Sequence, residues 1–314
     1  MRRYINLIYF VIAVVAAQLV DFLVPDSPLQ KQSKYPYFAV FLWVLLFGFL
    51  IVQLVKYVKT KQLDLYNAPL LAGVVTFLNV LNLITAKLAL LPTLYFPTLD
   101  QVVGALIEDR ALILKCIGYS LGILSQGVLG GLFIGFFTGL GIGFNKKIAY
   151  WINPIIRILG PIPATAWIPI MLVLFSTARG ASAFIIGISV WFPITVLTSS
   201  GISNVKNSYL EVAATLGSSE FQKIFTVAVP AAMPSIFLGL FNGLCSSFVA
   251  LMTAEMIGAK YGMGWYINWQ KDMMCYANLY AGLIVIAVLF YIVITLLFRV
   301  RDKVLLWQKG VIKW

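Results

Sequence analysis

The chain has 314 residues, 61% hydrophobic and only 11% charged, where a soluble domain carries about 25% charged residues. Apolar runs recur from end to end, so it reads as an all-α, polytopic membrane bundle with no room for a large soluble domain, and a transmembrane β-barrel is disfavoured because its strands alternate over about ten residues whereas these runs are continuous and longer. The net charge of +12 is spread along the flanks of the runs, which makes membrane topology a better reading than a nucleic-acid footprint.

In chain order the candidate spans are Tyr4 to Val24, Tyr37 to Val55, Ala68 to Leu91, Ile117 to Gly143, Pro163 to Phe175, Phe184 to Gly201, Pro234 to Ile257 and Ala277 to Phe298, eight in all. The first begins with Arg2 and Arg3 and has small residues at Ala16 and Ala17, as a signal peptide does, but its apolar run continues to Val24 and reads as an uncleaved anchor. Lys87 falls near the outer end of the third span, where snorkelling would make it an anchor. The fourth carries Gly127, Gly131, Gly135, Gly139 and Gly143 at four-residue steps, a stripe that lets a crossing helix approach closely, from this chain or from a second subunit. The fifth is short and rich in proline. Pro161, Pro163, Pro169 and Pro193 remove backbone donors within or beside apolar spans, which is tolerated beside neighbours or a water-lined cavity. Thr165, Thr195, Thr198 and Ser199 could offer hydroxyls to a solute, and Trp167 and Trp191 could line its route.

Alternate loops differ in basic residues. One set holds Arg2, Arg3, Lys56, Lys59, Lys61, Lys146, Lys147, Arg157, Lys206, Lys223, Arg299, Arg301, Lys303, Lys309 and Lys313; the other holds Lys31, Lys34, Arg110, Lys115, Arg179, Lys260 and Lys271. The excess places the first set, and both termini, in the cytoplasm.

One extended polar passage interrupts the apolar chain, from Asn204 to Pro234. Ser208 and Glu211 have capping-box spacing, so a helix is expected to start there, continue through Ala213 and Ala214 and end at Gly217. Ser218 or Ser219 can cap a second helix, with Phe221, Ile224 and Phe225 on one side, a Glu220–Lys223 pair, and an end before Pro230. The expected product is helix, bend and amphipathic helix.

Glu211, Ala213, Gly217 and Pro230 fall at the spacing of the motif E-A-A-x3-G-x9-I-x-L-P, with Val212, Val227 and Val229 at its remaining apolar positions. The passage therefore resembles the coupling segment of binding-protein-dependent ABC importer permeases. The runs LGPIPATAWIPIMLVLF (159–175), WFPI (191–194), VPAAMPSI (229–236) and AEMIGAKYGMG (254–264) resemble the nitrate, sulfonate, taurine and bicarbonate branch. The resemblance implies a type I (MetI-like) permease core over 93–305, with coupling helices at 208–226 docking on an ATPase through Glu211, Ala213, Ala214, Gly217, Ser218 and Phe221. It leaves 1–92 as an N-terminal extension with about three spans, and 306–314 as a cytoplasmic tail. It also implies a second permease subunit in a homodimer, two cytoplasmic ATPase subunits that bind ATP and Mg, an external solute-binding protein and a bacterial or archaeal cytoplasmic membrane. Pro163, Thr165, Trp167, Trp191, Thr195, Thr198 and Glu255 become candidates for the solute route; Glu255 could equally hold loop amides. The cargo implied is a small anionic or organic solute, such as a nitrate-, sulfonate-, taurine- or bicarbonate-like ion or a vitamin precursor.

Catalysis has no support in the residues. The nearest approach to a phosphate loop, GLGIGFNKK at 139–147, lacks the adjacent Gly-Lys and the hydroxyl, so ATP hydrolysis would fall to another subunit. The chain contains no histidine, and Cys116, Cys245 and Cys275 lack metal-ligand spacing, so neither a metal nor a cofactor is expected in it. The alternative is a secondary transporter or channel driven by an ion gradient, which would need paired intramembrane charges; Lys87 and Glu255 are the candidates.

Overall fold

A computed structural model describes residues 2–30, 35–61 and 65–307. Lys31, Lys34, Lys309, Lys313 and most of the expected tail lie outside them. Every regular element among the described residues is helical. In order they are α1 (Arg2–Leu23), α2 (Tyr37–Thr60), α3 (Ala68–Asn82) with a π turn (Leu83–Lys87), α4 (Leu99–Glu108), α5 (Arg110–Phe144) and α6 (Lys146–Leu159). Beyond α6 lie a 3-10 turn (Ala164–Trp167), α7 (Ile168–Leu174), α8 (Ala178–Ser203), α9 (Asn207–Thr215) and α10 (Glu220–Gln222). A second π turn (Lys223–Ala228), α11 (Val229–Gly258), α12 (Met263–Asp272) and α13 (Tyr276–Val304) complete the chain. It divides into two compact units, residues 1–113 with 269–284 and residues 114–268 with 285–314.

In the first unit the apolar faces of α1, α2 and α3 close on one another. Phe10, Val14 and Ala17 meet Phe38, Leu42, Leu46, Ala72 and Val75 in one buried cluster. The expected snorkelling of Lys87 does not occur. Its ammonium is buried, 3.1 Å from Asp21 and 2.8 Å from Asp26, and it donates to the Asp21 carbonyl at 2.9 Å. Asn82 donates to Asp21 as well, at 3.1 Å. The span ends in the π turn at Lys87 and not at Leu91, so the side chain reaches Asp21 in the last turn of α1 and Asp26 just beyond that helix instead of the headgroups. Outside the spans, Asp100 accepts from the Phe38 N–H at 2.8 Å, yet burial pushes its carboxyl above the ordinary range.

The second unit is organised by α5, α8 and α11. The glycine stripe of α5 meets α8 in register: Gly127 faces Ala183 and Ile186, Gly131 faces Gly187 and Val190, Gly135 faces Trp191 and Ile194, and Gly139 faces Thr195 and Thr198. Rising numbers on one helix meet rising numbers on the other, so the two run parallel. At Gly131 an added methyl would strike the Gly187 carbonyl oxygen, which is why only glycine lets the backbones approach this closely. α11 runs the opposite way, since Gly201 faces Ala232 and Ser235 while Gly243 faces Val190. Stacked rings of Phe248 with Phe290, at 3.8 Å, and of Phe241 with Phe298, at 5.4 Å, set α13 antiparallel to α11.

Because α5 and α8 are parallel, residues 145–177 must bring the chain back to the end where α5 began. They do so as a broken span: α6 and the segment Ala164–Leu174 are bent by 86° about the break between them. Seven helices among the described residues are long and apolar enough to cross a membrane, and this pair makes an eighth crossing when counted as one span. The expected fifth span, Pro163 to Phe175, is thus only the second half of a crossing. Pro161 and Pro163 explain the break, since neither can donate to a preceding turn.

The topology gathers the ends of α5, α8 and α13 and the start of α11 at one end of this unit. Lys146, Lys147, Lys206, Lys223, Arg299, Arg301 and Lys303 lie there, against Lys115, Arg179 and Lys260 at the other.

Candidate functional site

The connection between α8 and α11 is built almost wholly from local hydrogen bonds. α9 begins two residues earlier than the Ser208–Glu211 spacing predicts: Lys206 is the N-cap, without a side-chain bond, and Ser208 lies inside the first turn. The helix ends as expected at Gly217, whose φ of +80° lies where a Cβ is strained. Ser218 donates its N–H to the Ala213 carbonyl and Gly217 donates to that of Ala214, both at 3.0 Å, the two bonds of a Schellman motif. Ser219, not Ser218, caps the second helix. Its hydroxyl accepts from the Gln222 N–H at 3.3 Å, and the Gln222 amide accepts from the Ser219 N–H at 2.9 Å, so the capping box of this segment stands here.

The second helix does not end before Pro230. It continues through the π turn Lys223–Ala228 into α11. Pro230 has no N–H and its ring crowds the carbonyl of Thr226, so the chain widens by a π turn just ahead of it and remains helical. Glu220 and Lys223 pair at 2.6 Å as expected.

The bend leaves an apolar knuckle uncovered. Val212 is 59% exposed, Leu216 80% and Phe221 69%, with the tilted ring of Phe225 beside Phe221 at 4.5 Å. Glu211, Ala214 and Gly217 are exposed on the same knuckle, Ser218 is half-buried, and Ala213 is buried against the unit. These large side chains stand at the basic end of the unit, beyond the last turn of α8.

The residues expected along the solute route separate into two groups. Pro163, Thr165 and Trp191 line a cleft of about 430 Å3 at the break of the broken span, joined by Ser189, Phe192 and Ser246. The cleft sits midway along α8 and α11, and no charged side chain lines it. The Trp191 Nε1–H donates to Thr138 Oγ1 at 3.2 Å, which holds the indole at the wall. Trp167, half-buried at the end of the 3-10 turn, is not among the lining residues.

Thr195, Thr198 and Glu255 are fully buried and are not among the residues that line this cleft. Thr195 and Thr138 hydroxyls bond at 2.8 Å across the α5–α8 seam, where the glycine stripe leaves no space for solute. Glu255 holds the far end of the unit together. It accepts from Ser120 Oγ at 2.7 Å and from the Gly264 N–H at 2.8 Å, while Ser120 accepts from the Met263 N–H at 2.9 Å. One carboxylate thus ties α5, α11 and the start of α12. Gly262, at φ +137°, passes so close that any Cβ would overlap the carboxyl group. Sequence reasoning missed Ser120, Ser189 and Ser246, because an isolated serine in an apolar run has no distinguishing neighbour.

Residues 131–305 match the family described as the binding-protein-dependent transport system inner membrane component. The chain belongs to this family. Among curated members it is 32% identical over 140 residues to the bicarbonate transport system permease protein CmpB of Synechococcus elongatus, covering 45% of this chain and 49% of that protein. It is 29% identical over 117 residues to the nitrate import permease protein NrtB of the same organism, covering 37% and 39% of the two chains. With the taurine transport system permease protein TauC of Escherichia coli it shares 24% identity over 155 residues, 47% of this chain and 56% of that one. The match spans between 39% and 56% of the length of these relatives. A chain from inward-facing structures of the MetNI methionine ABC transporter superposes over 63% of this chain and 98% of its own with a TM-score of 0.54 at 17% identity, so this family member has that fold.

Proposed function

We infer that this family member is the transmembrane permease subunit of an ATP-driven importer, with its basic end in the cytoplasm and the knuckle around Gly217 docked on a separate ATPase subunit. The observation that carries this reading is the knuckle itself. Three large apolar side chains, Val212, Leu216 and Phe221, are held in water by a Schellman turn and a capping box at the basic end of the bundle. Their exposure there is costly unless a partner covers them. The excess of basic residues at that end supports a cytoplasmic placement of it and of both termini.

The full assembly has two permease subunits, a homodimer being the simplest form, two ATPase subunits that bind ATP and Mg, and an external solute-binding protein. The family description and the names of the relatives support such partners. ATP-driven closure of the ATPase pair would draw the two knuckles together, and the continuous helix from Glu220 to Gly258 would carry that movement to the cleft. Nucleotide can drive this only by binding one state better than the other. The cleft at Pro163, Thr165 and Trp191 lies where a solute would cross, and a small solute of the nitrate, bicarbonate or taurine type fits what the relatives' names say of them.

The test is Gly217→Asp together with Leu216→Asp, each expressed with the ATPase that co-purifies with the unsubstituted chain. Both variants are expected in the membrane at wild-type level with more than about ten-fold less ATPase co-purifying, as loss of a central anchor of about 2 kcal/mol implies. Normal co-purification with both variants would overturn the assignment.

A further inference from the structure

α6 is amphipathic in an unusual place. Lys146, Tyr150, Asn153 and Arg157 recur at i, i+4, i+7 and i+11 and form one exposed polar stripe, with Ile148, Ile152, Ile155 and Leu159 on the opposite side. The helix does not lie across the end of the bundle. Ile148 sits over Gly141, near the basic end, whereas Gly160 abuts the ring of Phe192. Phe192 stands about 16 Å along α8 from Ser203, close to half the length of that helix. The stripe therefore climbs from the basic end towards the cleft at the break.

Three polar features at this depth need water or a polar partner. Arg157 is exposed, and no acidic residue pairs with it among the described residues. Asn153 is too short to reach headgroups as a long cation can. Pro154 has no N–H for the carbonyl of Tyr150, a residue of the stripe, so that oxygen is freed on the same side. Polar groups and freed backbone within a bilayer persist where they face a water-filled cavity.

We propose that this stripe lines the inner half of the solute route and that Arg157, three residues before Gly160, is the group that admits anions to the cleft. This rests on the importer reading. The planar fork of donors of a guanidinium matches the paired oxygens of a carboxylate, nitrate-like or sulfonate group. The cleft has no charge of its own, so selection by sign falls to the approach beneath it. Lys146, at the mouth of the stripe, extends the positive field outward.

The experiment uses the full chain in inside-out membrane vesicles carrying C245S and C275S, with one added cysteine, Asn153→Cys on the stripe or Ile155→Cys on the opposite face. The probes are two membrane-impermeant thiol reagents of opposite charge, the sulfonate MTSES and the quaternary ammonium MTSET. Asn153→Cys is expected to react with both, and Ile155→Cys with neither. R157Q is expected to lower the ratio of anionic to cationic labelling rate about five-fold, the effect of one unit charge several ångströms away in a wet site, and R157K to restore it. Tyr150→Cys gives a second reading on the stripe where Asn153→Cys fails to fold. Absence of labelling at both stripe positions, labelling of Ile155→Cys at the stripe's rate, or a ratio unmoved by R157Q would each overturn the proposal, the last by showing Arg157 turned to lipid headgroups. ATPase co-purification separates the two levels of failure. Its retention without stripe labelling sinks only the role of α6, whereas its absence from the unsubstituted chain sinks the importer reading.

Discussion

The two ends of the α5–α8–α11 core are closed by opposite means. At the basic end the chain turns through Gly217 and Ser219 by bonds that reach no further than five residues, and its large side chains point outward. At the other end Glu255 is fully buried and bonds to Ser120, 135 residues away, and to Gly264. A turn stabilised by its own backbone can offer its side chains to a partner. A turn pinned by a buried carboxylate cannot, because its polar groups are engaged within the fold. The contrast separates an exposed turn from a buried joint, and it is open to substitutions at three positions of decreasing effect.

The core that both ends share should be the most sensitive. Gly131→Leu would drive a side chain into the Gly187 carbonyl and Val190, and overpacking against backbone is expected to cost about 3 kcal/mol or more. Detergent-solubilised protein should lose its single size-exclusion peak. A variant with an unchanged peak and unfolding midpoint would contradict the parallel α5–α8 packing.

The buried joint comes next. Glu255→Ala leaves the Gly264 N–H and the Ser120 hydroxyl without their acceptor in a dry site, a loss of about 2 kcal/mol, while Glu255→Gln keeps one acceptor oxygen and should lose less. Thermal unfolding of the two variants reads the order, and faster amide exchange at 262–265 in Glu255→Ala reads the location. Equal midpoints for both variants would mean that Glu255 does not hold the loop.

The smallest effect belongs to the exposed turn. Ser219→Ala removes an N-cap from a solvent-facing helix start, worth about 1 kcal/mol locally. It should leave the global midpoint within error, because the segment's contribution to the buried core is slight, and raise exchange only at 219–223. A fall in the global midpoint comparable to that of Glu255→Ala would erase the distinction between the two ends.

Much of this architecture is legible in the residues because membrane spans declare themselves by composition. Continuous apolar runs need only length to be recognised, and seven of the eight expected spans correspond to long helices. The exception has a physical cause. The segment before Pro163 carries Lys146, Lys147, Asn153 and Arg157, so hydropathy discards it, and the first half of a broken crossing drops from view. Gly217 and the Glu220–Lys223 pair can be read because their partners are a few residues away. The capping-box spacing at Ser208 is a false signal of the same kind: two boxes compete within one polar passage, and spacing does not say which serine precedes the first helical turn. The burial of Thr195 and Thr198 is hidden for another reason. A hydroxyl in an apolar run looks alike whether it faces a solute or the glycine stripe of a neighbour.

By itself the sequence determined that this chain is a bundle of membrane helices, which flanks carry the positive charge, and where one exposed helix–turn–helix interrupts the apolar runs. These features come from short-range chemistry: transfer of side chains to lipid, caps, and the left-handed backbone at Gly217. Only the tertiary structure decided that α5 and α8 run parallel, that the crossing between them is broken at a cleft, that Lys87 is paired with Asp21 and Asp26, and that Glu255 is a clamp. Each depends on groups far apart in the chain meeting in a medium of low polarity, where an unpaired charge or an unfilled seam is costly and the partner that satisfies it can come from any helix.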